Sequence, residues 1–438
     1  MRDTLRKRLL APTAAVSQLA RTGPDRKEIP PIPFMPVSST ITLVATFRVI
    51  DFHAHRFIAG FCCLGGMSNY PGIRRVANPL RPFVAEPLLQ LAAVEGIMEV
   101  VKNYVQAVYQ NGVQPDNYIC HRKNQNQVEI EDESTGKRHT VLTFCTNDVL
   151  GLTQAPSVKA AAIRAVQEYG TSNSSCAPLS GRIALHCQLE QEISAFKHLP
   201  HTQLFLNAWM AMQALMDGFC HLAIPIPGFH NTRETLVMSD LLNHACIHSA
   251  LSNSGSRSGQ KFGQSPKVRV KAYRHRDMEN LSSKLHRYAR PGDRIVVVSD
   301  SVFSMDGDIA PLPEMLDVLE SYPGSVLVMD EAHASGAIGL TGGGIFEHFN
   351  ISPQQALDRG INPLIMTTFS KFAASAGAAI SSHSQDLIKL LNIQPSSICT
   401  VSVPPPTTAA ALESIRLVRR HPQLVQRLQL NFRRYSSA

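Results

Sequence analysis

Lys371 stands in the run Thr367-Thr368-Phe369-Ser370-Lys371, just past a short apolar segment, and Asp330-Glu331-Ala332-His333 closes an earlier one. A lysine amine, a carboxylate and an imidazole delivered from strand ends can anchor an aldehyde cofactor. The amine condenses to a Schiff base, and the carboxylate pairs with a pyridinium nitrogen so that the ring becomes an electron sink. Asp330 ends the apolar run 326–329, and His333, three residues on, can point at the same ring. Ser304 offers a short hydroxyl in the stretch 301–308 after the apolar run 295–298, where Asp306-Gly307 suits a tight turn. Asn243-His244-Ala245 opens a helix after 236–238, which lets His244 lie flat against a ring. The run 203–206 followed by Asn207-Ala208-Trp209 reads as strand, turn and helix. A helix start with small residues presents free N–H groups to a phosphate, here around Ala208 and Trp209, and Thr368 can bond the same phosphate. Each residue alone also has an ordinary reading: a capping Asp, a loop Ser, a packed His, a core Trp.

The elements that must position these groups alternate in type. A helix over 157–169 is Ala-rich and ends at Gly170, a second helix covers 186–196, and short apolar strands fall at 203–206, 236–238, 268–272, 295–298, 326–329, 364–366 and 378–381. Helical stretches separate most of them, which predicts an α/β fold with a mostly parallel central sheet. In such sheets ligands gather at the carboxyl ends of the strands, where Asp330, Ser304 and Lys371 fall. Upstream, residues 1–85 are irregular and Pro-rich. Residues 87–110 carry a helical apolar stripe (Leu88, Leu91, Val94, Ile97, Val101, Tyr104, Val105) that would pack on the main domain or on a partner subunit. Residues 117–144 predict a small hairpin whose arms, 118–122 and 140–144, flank a polar centre. The expected divisions are an N-terminal extension at 1–85, a helix and hairpin region at 86–143, a large domain at 144–400 and the start of a C-terminal region at 401–438.

Bulk properties exclude several classes. The chain has 438 residues, 44% hydrophobic and 17% charged, with a net charge of +8. Much of the basic excess sits at the ends, and no Lys/Arg stripe is interleaved with aromatics, so nucleic acid is not the expected partner. Nine scattered cysteines without a CxxC pair read as reduced thiols rather than a disulfide framework or a metal site. The stretch 41–67 is interrupted by Arg48, Asp51, His53, His55 and Arg56, too soon for a membrane span. The basic N-terminus, with the single acid Asp3 in its first 22 residues, suits either a mitochondrial presequence or a basic tail on a cytoplasmic protein.

In order along the chain, Thr146-Asn147-Asp148-Val149-Leu150-Gly151-Leu152, Tyr169-Gly170, Ser180-Gly181, His186, Leu189-Glu190, Asn243-His244-Ala245, the run 302–308, Asp330-Glu331-Ala332-His333 and Thr368-Phe369-Ser370-Lys371 recur with family-like spacing. Over about 144–420 the chain thereby resembles the α-oxoamine synthase family of pyridoxal-phosphate (PLP) enzymes. The resemblance implies PLP-dependent transferase fold type I, a homodimer, and condensation of an amino acid with an acyl thioester, with decarboxylation to an α-amino ketone. The acyl group would arrive on CoA or on an acyl carrier domain, in primary or secondary metabolism. Carried over, Lys371 holds the cofactor and moves protons at the α-carbon, Asp330 pairs with the ring nitrogen, and His333 contacts the phenolic oxygen. His244 stacks on the ring, Thr368 binds phosphate, Ser304 lines the pocket and Asn147 faces the substrates. Two departures stand out. The family's Ser-Gly-aromatic phosphate turn reads Asn207-Ala208-Trp209, without the glycine, and the small C-terminal domain that the resemblance implies has no counterpart before Ala438. An impaired partner subunit of such an enzyme and an aminotransferase on the same fold are the alternatives.

Overall fold

The polar centre of the 117–144 segment is itself a strand. Strands β1 (Tyr118–Asn124), β2 (Gln127–Asp132) and β3 (Arg138–Leu142) form an antiparallel three-stranded sheet with β2 in the middle. The two arms expected to pair therefore do not touch as a hairpin; each pairs with β2, through Tyr118↔Asp132 and Gln127↔Leu142. The reason is period-two alternation: Val128 and Ile130 face one side while Gln127, Glu129 and Glu131 face the other, so the average looks polar. The computed structural model describes residues 97–110, 118–124, 126–220, 234–257 and 268–437. Helix α1 (Ile97–Gln110) falls inside the expected 87–110 stripe, whose first residues lie outside the described ones. Its Val101, Val105 and Tyr109 are exposed rather than packed on the main sheet.

Seven further strands make the central sheet: β4 (His201–Phe205), β5 (Thr235–Asp240), β6 (Val268–Tyr273), β7 (Arg294–Asp300), β8 (Val326–Asp330), β9 (Asn362–Thr368) and β10 (Ala378–Ser382). Their order is β4-β10-β9-β8-β7-β5-β6. The pairs β5–β6, β5–β7, β7–β8 and β8–β9 are parallel, and β10 runs antiparallel to both its neighbours. Strand β4 thus points the same way as β9, and the carboxyl ends of β4, β9, β8, β7, β5 and β6 share one edge. The mostly parallel sheet expected from the sequence is the one observed.

Alternate residues of each strand feed two cores. Ile295, Val297, Leu327 and Met329 pack on one side with Leu281 and Leu285 of α6 (Met278–Tyr288) and Leu312, Met315 and Leu316 of α7 (Leu312–Glu320). On the other side Val296, Val298, Val328 and Met366 pack with Met212 and Leu215 of the helix Ala208–Cys220 and Ile247 of the helix Ala245–Arg257. Each such side chain is worth roughly 1.5–3 kcal/mol when buried, so the strands are held in register from both faces. A third cluster joins Leu189 and Ile193 of the helix Ala184–Lys197 to Phe369, Phe372 and the buried stripe Ala411, Leu412, Ile415 and Val418 of the helix Pro405–Arg420. The 401–438 stretch thereby contributes to the core around Lys371. Between α1 and α6 run α2 (Pro156–Tyr169), α3 (Ala184–Lys197), α4 (Ala208–Cys220) and α5 (Ala245–Arg257).

Candidate active site

Strand interiors bury apolar side chains, so polar groups emerge where strands end. At the shared carboxyl edge, Asp300 ends β7 and Asp330 ends β8, and the two are register partners. Beyond β9 the chain turns back into β10 through a short loop that carries Lys371. The loop is fastened by Phe369 N–H to Gly377 O (2.9 Å) and Ser375 N–H to Phe369 O (2.9 Å). Gly377, at φ +119°, is required there: a Cβ would lie 2.8 Å from the Phe369 ring. This fastening presents Lys371 Nζ 2.7 Å from His333 Nε2, in the loop after β8. An ammonium at Lys371 can only donate, and toward it His333 accepts at Nε2 with its own proton on Nδ1.

His244 sits between β5 and α5. Its backbone N–H donates to Asp300 Oδ1 (3.2 Å), and its Nδ1 accepts the Cys246 N–H (3.2 Å) with the Cys246 Sγ 3.0 Å away. The ring proton is therefore on Nε2. Buried Asn243 anchors this corner: its Nδ2 donates to Val298 O and Ser239 Oγ (both 2.9 Å), and its Oδ1 accepts the Asp300 N–H (2.8 Å).

The electrostatics follow from burial. Burial pulls Lys371 below the ordinary lysine range, partly opposed by Asp330 and Asp300. Burial, then Lys371 and His244, lower His333 to about 4, so it is a neutral imidazole at physiological pH. His244 is lowered as well, by burial and then by Lys371. Asp330 is raised to about 6 by burial, against the Ala332 N–H it accepts at 2.9 Å. Asp300 is pushed well above the carboxylate range by burial and then by Asp330 beside it, and burial pushes the Cys246 thiol up.

The structure brings together Lys371, His333, Asp330 and His244. Thr368, the last residue of β9, is buried, with Oγ1 3.0 Å from Ser370 Oγ and 3.3 Å from Gly377 O. The α4 start lies on the same edge, because Phe205 and Thr368 both register with Ala378. There Asn207 Oδ1 takes the Met210 N–H (2.9 Å), while Ala208 and Trp209, the first two residues of α4, have N–H groups with no intrahelical acceptor. Trp209 is 46% exposed, which corrects the core-filling reading: its position in the first turn of a helix beyond the sheet edge lifts it out of the core. Ser304 lies exposed in the turn after β7, and Asn147 is exposed before α2. No described contact joins either to Lys371. Asp300, Asn243 and Cys246 were missed as site residues. For Asp300 the signal was available, since Ser299-Asp300 extends the apolar run 295–298 just as Asp330 extends 326–329. A groove of about 640 Å³ lies at the opposite end of β4, lined by Arg182, His201, Thr202 and Lys389 among others, and takes in none of these side chains.

Residues 139–437 match the family Aminotransferase class I and II. An 8-amino-7-oxononanoate synthase from Thioalkalivibrio sulfidiphilus is 32% identical over 64% of this chain and 63% of its own. A protein of Gloeothece citriformis, provisionally given the same name, is 33% identical over 67% of this chain and 70% of its own. The chain spans about two thirds of the length of the curated relatives it matches. In fold, it superposes with a TM-score of 0.64 on a lysine-to-alanine variant of serine palmitoyltransferase from S. paucimobilis bound to a PLP–myriocin aldimine. That match is 24% identical and covers 77% of this chain and 76% of the other.

Proposed function

The chain belongs to the aminotransferase class I and II family, in its α-oxoamine synthase branch, and on that premise we propose that it condenses an amino acid with an acyl thioester using PLP. The observation that carries the reading is the meeting of Lys371 Nζ with His333 Nε2 beside buried Asp330 at the carboxyl edge of the sheet. The residues fit PLP on their own terms. Asp330 is a buried carboxylate that accepts a backbone N–H but, among the described residues, forms no ion pair with a cationic side chain, which leaves its charge for a ring cation. Lys371 would hold the aldehyde carbon, Asp330 the ring nitrogen, His333 the phenolic oxygen and His244 the ring face. Thr368 and the first N–H groups of α4, at Ala208 and Trp209, would hold the phosphate. Bound there, the group supplies a ring that takes up negative charge from the substrate α-carbon.

The chain's residues do the rest. The lowered Lys371 amine is free at a lower pH than an exposed lysine, so it can take the proton from the α-carbon and return it. His333, neutral and an acceptor at Nε2, orients that amine. The α-carbon then bonds to the acyl carbon, the thiol leaves, the carboxylate departs as carbon dioxide, and an α-amino ketone remains. Ser304 would line the cofactor pocket and Asn147 would face the substrates, and a dimer would complete the enzyme, with CoA or a carrier domain delivering the acyl group. The test is a panel of amino acids and acyl-CoA thioesters of stepped chain length. Carbon dioxide and free thiol should appear together, only when both substrates are present; amino transfer to a 2-oxo acid without thiol release would sink the proposal.

Asp330 also sets a pH dependence. Its folded value is raised to about 6, so the anionic form that retains the ring is lost as pH falls through about 6. Apparent PLP affinity should be roughly tenfold weaker at pH 5 than at pH 8, because about a tenth of the protein then carries the anion. Equilibrium dialysis reads this directly, and Asp330→Asn should lose the Asp330 share; an identical profile in that variant counts against the role.

A further inference from the structure

Asp300 and Asp330 end neighbouring parallel strands as register partners. In-register residues project to the same face, on strands about 4.8 Å apart. Both are nearly sealed from solvent, at 4% and 3% exposure. Each side chain accepts one backbone N–H among the described residues, from His244 and from Ala332. Two carboxylates so placed cannot both stay ionised; one proton held by the pair relieves the repulsion. The surroundings decide which keeps it. Lys371 favours the charge on Asp330, while Asp300 faces Asp330 from β8 and Asp240 from β5, with Lys371 only its weakest influence. The remaining titratable neighbours are Glu331, whose charge opposes that of Asp330 but is paired with buried Lys197, His244 and Cys246 of the α5 corner, and Tyr273 of β6; burial holds the thiol and the phenol neutral.

We propose that Asp300 works as a neutral acid, a positioning residue that leaves Asp330 as the single anion facing the cofactor ring and seats His244 through its backbone N–H. One ring cation is then met by one carboxylate, and α5 is held by an uncharged acceptor. The use made of that charge rests on the PLP reading, but the charge state of Asp300 does not.

Infrared spectroscopy of the full chain without PLP tests it. Near neutral pH the wild type should show the carbonyl band of a protonated carboxyl, shifted in heavy water, and Asp300→Asn should lose one carboxyl's share of it. In Asp330→Asn the same band should titrate away at lower pH than in wild type, because the neighbour that holds the proton on Asp300 is gone. A role confined to seating His244 would move neither band. Absence of the band in wild type, or its survival in Asp300→Asn, overturns the proposal. If Asp300→Asn does not fold, as judged by circular dichroism, the comparison of wild type with Asp330→Asn decides: an unshifted titration overturns it. Should PLP fail to bind Lys371 while the band behaves as expected, the function reading fails and this one stands.

Discussion

Lys371→Ala, loaded with PLP, shows no lysine-dependent visible absorbance, yields no borohydride-fixed adduct at position 371, and loses turnover by about 10²–10⁴-fold from the proton-transfer role alone. The expectation rests on what else the site holds. His333 and His244 are neutral imidazoles beside Lys371, and Asp330 and Asp300 are acids, so among the described residues no second amine stands ready to replace it. Lys197, although buried, is committed to Glu331 elsewhere. The loop itself should survive the substitution, because its fastening runs through the backbone of Phe369, Ser375 and Gly377 rather than through the lysine side chain. Absorbance before and after borohydride, with mapping of the modified peptide, is the measurement. A chromophore that persists in the variant, or maps to another lysine, removes the basis for the proposed function.

Lys197→Met costs about 3–5 kcal/mol of stability, the penalty for stranding a buried charge. Lys197 and Glu331 form an ion pair with both side chains fully buried. Lys197 also donates to Ser335 Oγ (2.6 Å) and Gly343 O (3.0 Å), and Glu331 accepts the Ile345 N–H at 3.0 Å. The node therefore ties the end of α3 to the whole loop 331–345, which carries His333. Gly344, at φ +103°, completes it, since a Cβ there would stand 2.1 Å from Glu331 Oε2. Denaturant unfolding of Lys197→Met, Glu331→Gln and the double variant measures the pair. The double variant should be more stable than Lys197→Met, because no charge remains buried alone while the amide that replaces the carboxylate can still accept the Ile345 N–H. Equal losses in the single and double variants would show that the ion pair is not the source.

Much of this was legible beforehand because burial writes itself into composition. All seven strands of the central sheet stand out as apolar runs, and Lys371, Asp330 and His333 lie where such runs stop. The small sheet was misread for the converse reason: β2 fully buries only Val128, and the acids that alternate with Val128 and Ile130 make the segment look polar on average. For Trp209 the ordinary reading, a core residue, fails because the first turn of a helix leaving a sheet edge is exposed. Asp300 escaped because a carboxylate next to a loop looks like a turn residue until its register partner is known.

By itself the sequence determined the residue types at the strand ends, the alternation of helix and strand, and hence the sheet edge at which chemistry gathers. These depend on local pattern, which neighbours along the chain carry. Only the tertiary structure decided that Asp300 abuts Asp330, that Lys371 Nζ meets His333 Nε2, and that Lys197 lies beneath the same loop. Those contacts arise from a strand order that departs from chain order, with β10 inserted between β4 and β9 and β7 between β5 and β8. Which strand ends become neighbours is fixed by packing two cores against one sheet at once, a condition that no local stretch of sequence contains.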